Sequence, residues 1–193
     1  NSLRGGPALS SGGFHTVAPL ADGRLGGWGY NYYRTLRPTT TSAQVKPMLV
    51  ADVAGASQWS AGRFQTCGLW RDGAGKGRVR CWGRNISGET GRGVASTYGF
   101  AGPWVVGLSG ARAISAGDYH VCAVLDSGAV FCWGSGSGGR LGDGAGVSRS
   151  APVKAVNVTD AVAVSAGLYH TCALRKSGQA LCWGSNSQGQ LGV

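Results

Sequence analysis

Short apolar runs, each ended by glycine, serine or asparagine, recur along the whole chain of 193 residues. Near the C-terminal end, "AVAVSAG" is followed by "HTCAL", then by a turn at "KSG", and then by "QALCWG". Runs of four to six residues between turn-forming residues are typical of β-strands. No stretch repeats its apolar residues at the 3.6-residue period of a helix. The pattern therefore predicts an all-β chain.

The same succession of runs occurs four times. The segment "SAGLYHTCALRKSGQALCWGSNSQGQLG" aligns with "SAGDYHVCAVLDSGAVFCWGSGSGGRLG" and with two more distant copies. Three or four short strands in each period of about 50 residues predict the blades of a β-propeller. The repeats are anchored on Gly12, Gly62, Gly117 and Gly167. We place them at 10–59, 60–114, 115–164 and 165–193 of a single β-propeller domain or fragment.

The repeat also resembles a known family. The pattern G-x-[FY]-H-[TV]-x-A-L…G-x-x-x-x-W-G-x-N-x-x-G-Q-L-G is similar to the regulator of chromosome condensation (RCC1) repeat. Its clearest copy contains Gly167, His170, Ala173, Leu174, Gly178, Trp183, Gly184, Asn186, Gly189, Leu191 and Gly192. The resemblance implies a β-propeller, which commonly has seven blades in this family.

Four copies indicate either a four-bladed ring or part of a larger one, and we favour the larger ring. In a four-bladed ring, residues 1–9 would complete the last blade. The chain begins without methionine or an apolar leader, so we expect a processed product or a fragment. No apolar run approaches the ~20 residues that a membrane-spanning helix needs.

Six cysteines fall in pairs inside the last three repeats. The first repeat has Val17 and Gly27 at the equivalent positions, so both members are absent together. The second repeat has four extra residues between its cysteines, and an even insertion preserves the side-chain alternation of the two strands. Among the connectivities open to six cysteines, these features favour Cys67–Cys81, Cys122–Cys132 and Cys172–Cys182. Reduced thiols and zinc are the alternatives, although no C-x₂₋₄-C knuckle is present.

Disulfides form in oxidising compartments, so this pairing predicts a secreted or cell-surface protein. Two sequons are candidate glycosylation sites, at Asn157 and at Asn85. The best-known proteins of the RCC1 family, a nuclear exchange factor for a small GTPase and chromatin-binding proteins, work in reducing compartments. Others are secreted bacterial propellers that only bind. We therefore keep an intracellular exchange factor or chromatin-binding fragment as the alternative function.

Each Trp-Gly pair is followed two residues later by asparagine or glycine, at Asn31, Asn85, Gly136 and Asn186. Both residue types tolerate a left-handed backbone, so we expect one turn conformation used four times. The segment "GSGSGG" (134–139) matches a dinucleotide fingerprint, but "GSNSQG" occupies the same turn in the last repeat and no helix follows. No cofactor is predicted.

Three histidines share one repeat position, at His15, His120 and His170, and Gln65 occupies the fourth. Because glutamine breaks the set, we interpret the histidines as structural, bonded to nearby backbone, rather than as ligands of a central metal. The recurring Trp28, Trp82, Trp133 and Trp183 are assigned to the core. No nucleophile–base pair stands out from the repeat and the eight acidic residues are scattered, so the chain is not predicted to be an enzyme. A propeller hydrolase or lyase is the least favoured alternative.

Departures from the repeat are the candidate binding residues. The first repeat carries "YNYYRTLR" after its Trp-Gly pair, and the second has a long basic hairpin. Tyrosine and arginine dominate the energetics of many protein interfaces. The candidate partner-binding residues are Tyr30, Tyr32, Tyr33, Arg34, Arg37, Arg71, Lys76, Arg78 and Arg80. The alternatives are a turn packed under the following connection and a solvated hairpin.

The formal net charge is +10, and 13 of the 18 Lys and Arg residues precede position 113. This asymmetry suggests a polyanion or an acidic partner, with a merely solvated surface as the alternative. Because the cysteine pairs disfavour a chromatin role, we expect an acidic protein or an anionic glycan rather than nucleic acid. The sequence thus predicts a non-catalytic extracellular module that binds another protein or assembles with itself.

Overall fold

A computed structural model describes residues 8–36, 40–99 and 102–193, except for the side chains of residues 51 and 52. The described chain forms four antiparallel sheets in which strands follow one another in chain order. The first sheet contains β1 (Ser10–Ser11), β2 (His15–Pro19), β3 (Arg24–Gly29) and β4 (Gln44–Ala54). The second contains β5 (Gln58–Ala61), β6 (Gln65–Arg71), β7 (Gly77–Asn85) and β8 (Ser96–Gly99). The third contains β9 (Ala111–Ala116), β10 (His120–Leu125), β11 (Val130–Gly134) and β12 (Arg149–Lys154), and the fourth β13 (Ala161–Ala166), β14 (His170–Arg175) and β15 (Ala180–Gly184).

The sheets stack face to face in the order of the chain. Each sheet begins with its innermost strand, and β1, β5, β9 and β13 lie beside one another in turn. A separate apolar cluster fills each of the three gaps between successive sheets. Among the described residues, no hydrogen bond joins the first sheet to the fourth. The predicted all-β propeller architecture is confirmed, with four sheets as four blades.

The anchor glycines recur because successive sheets touch through their backbones. A Cβ atom on Gly12 would overlap the carbonyl oxygen of Gly62, and one on Gly62 would overlap that of Gly117. The same holds for Gly117 against Gly167. Only glycine allows this close approach of backbones beside the inner strands.

The sheets begin earlier than the predicted repeat boundaries. The second, third and fourth sheets start at residues 58, 111 and 161, because the strand that precedes each anchor glycine pairs with the strand that follows it. Boundaries at 60, 115 and 165 therefore cut through β5, β9 and β13. The fourth sheet has three described strands. Most of the segment predicted to complete it, residues 1–7, lies outside the described residues.

The predicted left-handed turn residue is wrong. Left-handed backbone occurs instead at the glycine of each Trp-Gly pair, with φ of 103° at Gly29 and 102° at Gly83. The asparagine contributes its side chain: Asn85 Oδ1 accepts from the Thr90 backbone N–H at 3.0 Å, and Nδ2 donates to the Val94 carbonyl at 3.0 Å. This amide braces the loop as turn-forming side chains do.

The same bonds argue against the candidate glycan at Asn85. Its side chain is buried and both amide atoms are hydrogen-bonded, so the folded chain has no room for a sugar on Nδ2. Asn157, in contrast, is exposed and lies in a turn with φ of 60°.

The cysteines of each pair lie directly opposite each other on adjacent strands. Cys67 faces Cys81, Cys122 faces Cys132 and Cys172 faces Cys182 in the strand register. The Cα atoms are 4.1, 4.1 and 4.0 Å apart, and all three pairs are disulfides in the structure. The four extra residues of the second repeat lengthen the β6–β7 hairpin without changing the register beside the cysteines.

A candidate protein-binding face

One end of the strands carries a row of aromatic side chains. His15, which begins β2, pairs with Gly29, which ends β3, so Phe14 and Tyr30 emerge at the same end of the first sheet. Every sheet has an aromatic residue directly before the recurring His or Gln; these are Phe14, Phe64, Tyr119 and Tyr169. We call this end the aromatic face; it comprises Phe14, Tyr30, Tyr32, Tyr33, Phe64, Tyr98, Tyr119 and Tyr169 with Arg34, Arg63, Arg84 and Arg140.

The rings of the first two sheets form one cluster. Phe64 stacks on Phe14 at 5.4 Å between ring centroids and also contacts Tyr30 at 5.4 Å and Tyr33 at 5.3 Å. Tyr32 meets Tyr33 edge-on at 5.2 Å. Phe14 is 53% exposed and Tyr32 58% exposed, although both belong to this packed group. An exposed aromatic cluster of this kind marks an interaction surface.

Arginines continue the cluster across the other sheets. The Arg63 guanidinium lies 5.3 Å from the Phe64 ring centroid and 5.7 Å from that of Tyr119. Arg84 covers Tyr119 at 5.0 Å, and Arg140 covers Tyr169 at 4.8 Å. Each contact is a cation–π interaction, in which the guanidinium plane is held against a ring. Aromatic rings and arginines therefore lie at the same end of all four sheets.

The aromatic face carries excess positive charge. Asp118 pairs with Arg63 at 3.4 Å, and the buried Glu89 pairs with Arg84. Burial lowers the pKa of Arg140, whose guanidinium donates to the Ser137 and Leu168 carbonyls. Arg34 forms no ion pair with any residue that the structure describes.

The loop that carries the tyrosines is anchored from below. Asn31 accepts the Leu36 backbone N–H at 2.8 Å and donates to the Thr40 carbonyl at 2.7 Å. Leu36 is fully buried, whereas Tyr32 points outwards. Arg34 has φ of 61°, a strained value for a side chain of this size, and its guanidinium lies 4.1 Å from the Tyr98 ring centroid. Asn31 thus ties the loop to the segment that follows it, while Tyr32 remains exposed to solvent.

The sequence-predicted binding residues fall into two separate groups. Arg71 and Lys76 lie exposed at the tip of the β6–β7 hairpin, which is the end of the strands opposite to the aromatic face. Arg78 and Arg80 stack on Trp104, with guanidinium carbons 4.4 and 3.9 Å from its ring centroid. Arg37 lies outside the described residues.

The recurring histidines occupy the gaps between sheets. His15 Nε2 lies 2.8 Å from Thr66 Oγ1, and His120 Nε2 lies 2.7 Å from Thr171 Oγ1, so each contacts the next sheet through a threonine side chain rather than through backbone. Thr171 donates its hydroxyl proton to the Arg140 carbonyl and must therefore accept from His120. Desolvation lowers the pKa of His15 to about 4 and that of His120, where Arg140 and His170 add to the effect, to about 3. Both imidazoles are neutral structural groups at neutral pH.

The described residues bring no three His, Cys, Asp or Glu side chains together in a group that suits a metal ion. Over the same residues, no helix has both the length and the apolar character needed to cross a bilayer.

Of the twelve residues of the aromatic face, the sequence predicted four as binding residues, namely Tyr30, Tyr32, Tyr33 and Arg34. Phe14, Phe64, Tyr119 and Tyr169 were visible as the [FY] position of the repeat motif, which precedes the recurring histidine. A position that is aromatic in every repeat predicts a residue packed in the core, yet Phe14 and Tyr169 are exposed. The signal that distinguishes them is their place outside the strands.

Comparisons with known proteins agree with this geometry. The profile of the family described as "Regulator of chromosome condensation (RCC1) repeat" matches residues 111–140 and 161–190, and a second profile of that description matches 127–174. The human E3 ubiquitin-protein ligase HERC2 is 32% identical over 144 residues, which are 71% of this chain and 3% of HERC2.

Two solved structures are similar over most of the chain. Prp20p from Saccharomyces cerevisiae, described with its binding to Gsp1p and histones, superposes with a TM-score of 0.74 at 21% identity, over 95% of this chain and 46% of Prp20p. The ectodomain of the Physcomitrella patens receptor kinase CR4 superposes with a TM-score of 0.54 at 30% identity, over 93% of this chain and 41% of that ectodomain. The chain spans less than half the length of each of these relatives. Its four stacked sheets, anchor glycines and repeat motif show that the chain belongs to the RCC1-like repeat family.

Proposed function

We propose that this chain is a non-catalytic binding module of an extracellular protein, and that its aromatic face binds an acidic segment of a protein partner. The observation that carries the proposal is the row of aromatic rings and arginines at one end of four sheets, in which Phe14, Tyr32 and Tyr169 are exposed. Tyrosine and arginine supply rigid contact area and charge-assisted bonds at interface hot spots.

The charge of the molecule supports an acidic partner. The net charge is +10, and the two acidic side chains that contact arginines of the aromatic face, Asp118 and Glu89, are already paired with them. A carboxylate of the partner would therefore meet guanidinium groups without competing repulsion. Similarity to Prp20p, which binds the proteins Gsp1p and histones, supports a protein as the class of partner.

Three disulfides and an exposed sequon at Asn157 support an extracellular location. The similarity to a receptor-kinase ectodomain points the same way. The test is peptide mapping without reduction, on protein taken from its native source with thiols alkylated at harvest. We expect Cys67–Cys81, Cys122–Cys132 and Cys172–Cys182 as linked peptides, and six alkylated cysteines would contradict the location.

Binding is tested with a labelled poly-L-glutamate peptide, with heparin and duplex DNA as alternative polyanions. The variant Tyr32→Ala/Arg34→Ala removes one aromatic ring and one charge from the aromatic face. Its matched control, Leu20→Ala/Lys76→Ala, removes one apolar side chain and one charge at the opposite end of the strands. We expect the first variant to weaken peptide binding about tenfold or more, and the control to keep it. Equal losses in both variants would show that net charge alone attracts the peptide.

The competing function is an intracellular exchange factor or chromatin-binding fragment, favoured by the similarity to Prp20p. It requires free thiols and tight binding to histones or to DNA. Binding of duplex DNA that exceeds poly-L-glutamate binding and falls steeply with salt would favour this alternative.

A further inference from the structure

The turn after each Trp-Gly pair is closed by the same backbone hydrogen bond in all four sheets. In the first sheet, the Arg34 backbone N–H donates to the Asn31 carbonyl at 2.8 Å. Gly88, Gly139 and Gly189 donate in the same way to the residue three positions earlier, at 3.1, 3.0 and 3.1 Å. Arg34 therefore occupies the place that glycine fills in the other three sheets.

This place in the turn has left-handed backbone in every sheet. The φ angle is 88° at Gly88, 76° at Gly139 and 73° at Gly189, and it is 61° at Arg34. Glycine adopts such values freely, whereas a residue that carries a Cβ atom is strained there. The first sheet thus has a strained arginine at a position where glycine would be free of strain.

Hydrogen bonds on the next residue prevent the loop from relaxing this strain. Thr35 is fully buried, and its carbonyl accepts the indole N–H of Trp82 at 2.8 Å and the Thr66 hydroxyl at 3.3 Å. Its own hydroxyl donates to the Tyr30 carbonyl at 2.6 Å. Because the first two bonds join the first sheet to the second, they hold the backbone at Arg34 in place. Strain that the surrounding structure maintains in this way is typical of functional positions.

The Arg34 side chain lies on the outermost strand of the second sheet. Its guanidinium carbon is 4.1 Å from the ring centroid of Tyr98 on β8, so the two groups form a cation–π contact. Nε is buried there and has no hydrogen-bond partner among the described residues. Nη1 and Nη2 form no hydrogen bond or ion pair with those residues either, and they are accessible to solvent. The ring therefore supports the guanidinium while its two terminal donors stay free for a ligand.

The other arginines of the aromatic face already have polar partners. Arg63 and Arg84 each form an ion pair with a carboxylate, and Arg140 donates to two backbone carbonyls. Among the described residues of this face, Arg34 is the arginine without one. The two oxygens of a carboxylate match the two Nη donors of a guanidinium in a planar bidentate pair, which a lysine ammonium does not reproduce. The chemistry at Arg34 thus suits a carboxylate.

We propose that Arg34 is the specificity-determining residue of the aromatic face, and that its two Nη atoms bind one carboxylate of the acidic partner end-on. Glycine in this place would leave the turn unstrained but would remove the pair of donors. The strained backbone is thus retained for binding, at a cost in stability. This inference rests on the proposed function, and it adds that one supported guanidinium, rather than the net charge of the molecule, selects the partner.

The test measures binding of labelled poly-L-glutamate to the full, oxidised chain by fluorescence anisotropy. Arg34→Gly restores the residue of the other repeats, and Arg34→Lys keeps the charge without the planar pair of donors. The matched control, Arg34→Gly/Gly139→Arg, moves the arginine to the same turn position of the third sheet. A side chain has space there, since no atom beyond the chain neighbours lies within 4 Å of a Cβ built on Gly139. This control keeps the composition, the net charge and the number of strained side chains.

We expect Arg34→Gly and the control with the relocated arginine to bind the peptide about tenfold more weakly than the unaltered chain. Arg34→Lys should bind about threefold more weakly, because a point charge replaces a bidentate contact. Full binding by the control would overturn the proposal, since net charge would then be sufficient. Full binding by Arg34→Lys would overturn the bidentate contact with a carboxylate.

Tyr32→Ala separates this proposal from the function on which it rests. Peptide binding that weakens in Tyr32→Ala but not in Arg34→Gly would overturn the role of Arg34 and would leave the aromatic face as the binding site. No peptide binding by the unaltered chain would overturn the proposed function, and this inference with it.

Thermal unfolding reports the strain independently of binding. Arg34→Gly and Arg34→Ala both lack the guanidinium, and only the alanine variant keeps a Cβ atom in left-handed backbone. We expect Arg34→Gly to unfold at a temperature roughly 2–4 °C higher than Arg34→Ala. Equal midpoints would show that position 34 is unstrained, and would overturn the inference that stability is given up for binding.

Discussion

The third and fourth sheets have nearly the same sequence motif but different surroundings. His120, Cys122, Cys132 and Trp133 of the third sheet are fully buried, whereas the equivalent residues of the fourth sheet are half-buried. Strand lengths and register beside the disulfides are the same in both sheets. Within the part of the chain that the structure describes, the third sheet packs between two others, whereas the fourth packs against the third alone. In this fold, the burial of a residue is thus decided by the adjacent sheet rather than by its own.

The largest expected effect concerns the recurring tryptophan. Trp133→Ala should lower the free energy of unfolding by roughly 3–5 kcal/mol, because it leaves a large cavity between the second and third sheets. Trp183→Ala should lower it by about half as much, since its side chain is already partly in water. Urea unfolding followed by circular dichroism measures both. Equal losses would show that the fourth sheet is as tightly packed as the third.

The disulfides provide the next comparison, because the two loops have the same sequence separation of 10 residues. Loop-closure entropy is therefore equal, and replacing either pair with alanine removes roughly 2–4 kcal/mol of stability. The solvent exposure of the two disulfides differs, because Cys122 and Cys132 are fully buried whereas Cys172 and Cys182 are half-buried. In native buffer a phosphine reductant should therefore reduce Cys172–Cys182 first, and Cys122–Cys132 only after the sheets separate. Timed alkylation with mass spectrometry gives the order. Simultaneous reduction would indicate that the third and fourth sheets open together.

Acid should destabilise the chain through its two buried histidines. His15 and His120 have folded pKa values of about 4 and about 3, below the ordinary 6.5, so the unfolded chain binds protons that the folded chain does not. Stability is complete above pH 6.5 and falls below it, by about 1.4 kcal/mol per pH unit for each histidine, until the folded pKa is reached.

Glutamine is the appropriate replacement, because Gln65 fills the same position fully buried and bonds the next sheet. His15→Gln/His120→Gln should flatten the fall of the urea midpoint between pH 7 and pH 5. His170→Gln keeps both buried histidines and should retain their acid loss. A steep fall in the double variant would mean that other groups control acid stability.

The smallest expected effect concerns the serine of the inter-sheet bond. The Ser115 hydroxyl accepts the Ala166 backbone N–H of the next sheet at 2.9 Å, so Ser115→Ala removes that acceptor and should cost about 1 kcal/mol. Ser165 forms no side-chain hydrogen bond with any residue that the structure describes, so Ser165→Ala should be neutral. Thermal unfolding of both variants checks this, and equal losses would show that the hydroxyl acts through something other than the bond between sheets.

Much of this architecture was predictable because it repeats. The alternation of apolar residues locates the strands, the anchor glycines give the period, and cysteines paired within each repeat predict the register of their two strands. The candidate site was predicted less well. The "YNYYR" loop and the basic hairpin were both found because they depart from the repeat. The hairpin tip, with Arg71 and Lys76, lies at the end of the strands opposite to the loop, and Arg78 and Arg80 pack on Trp104. Charge and composition do not reveal the end of a strand from which a side chain emerges.

The asparagine turn shows a different reason for failure. Asparagine often adopts left-handed backbone, which is why the sequence predicted it here. In the structure, the glycine two residues earlier adopts that conformation, and the asparagine side chain braces the loop. Both solutions use residues common in turns. Only the hydrogen-bond partners, which lie five to nine residues away, distinguish them.

By itself, the sequence determined the all-β class, the period of the sheets and the strand register that brings the cysteines together. These features depend on local alternation, on turn residues and on glycine at points of close approach, and all of them can be read within one repeat. The tertiary structure alone decided which equivalent residues are buried, which side chains meet at the aromatic face, and which polar groups bond across the gaps between sheets. Such properties depend on what lies across a gap between sheets, and equivalent residues of one motif acquire different neighbours there.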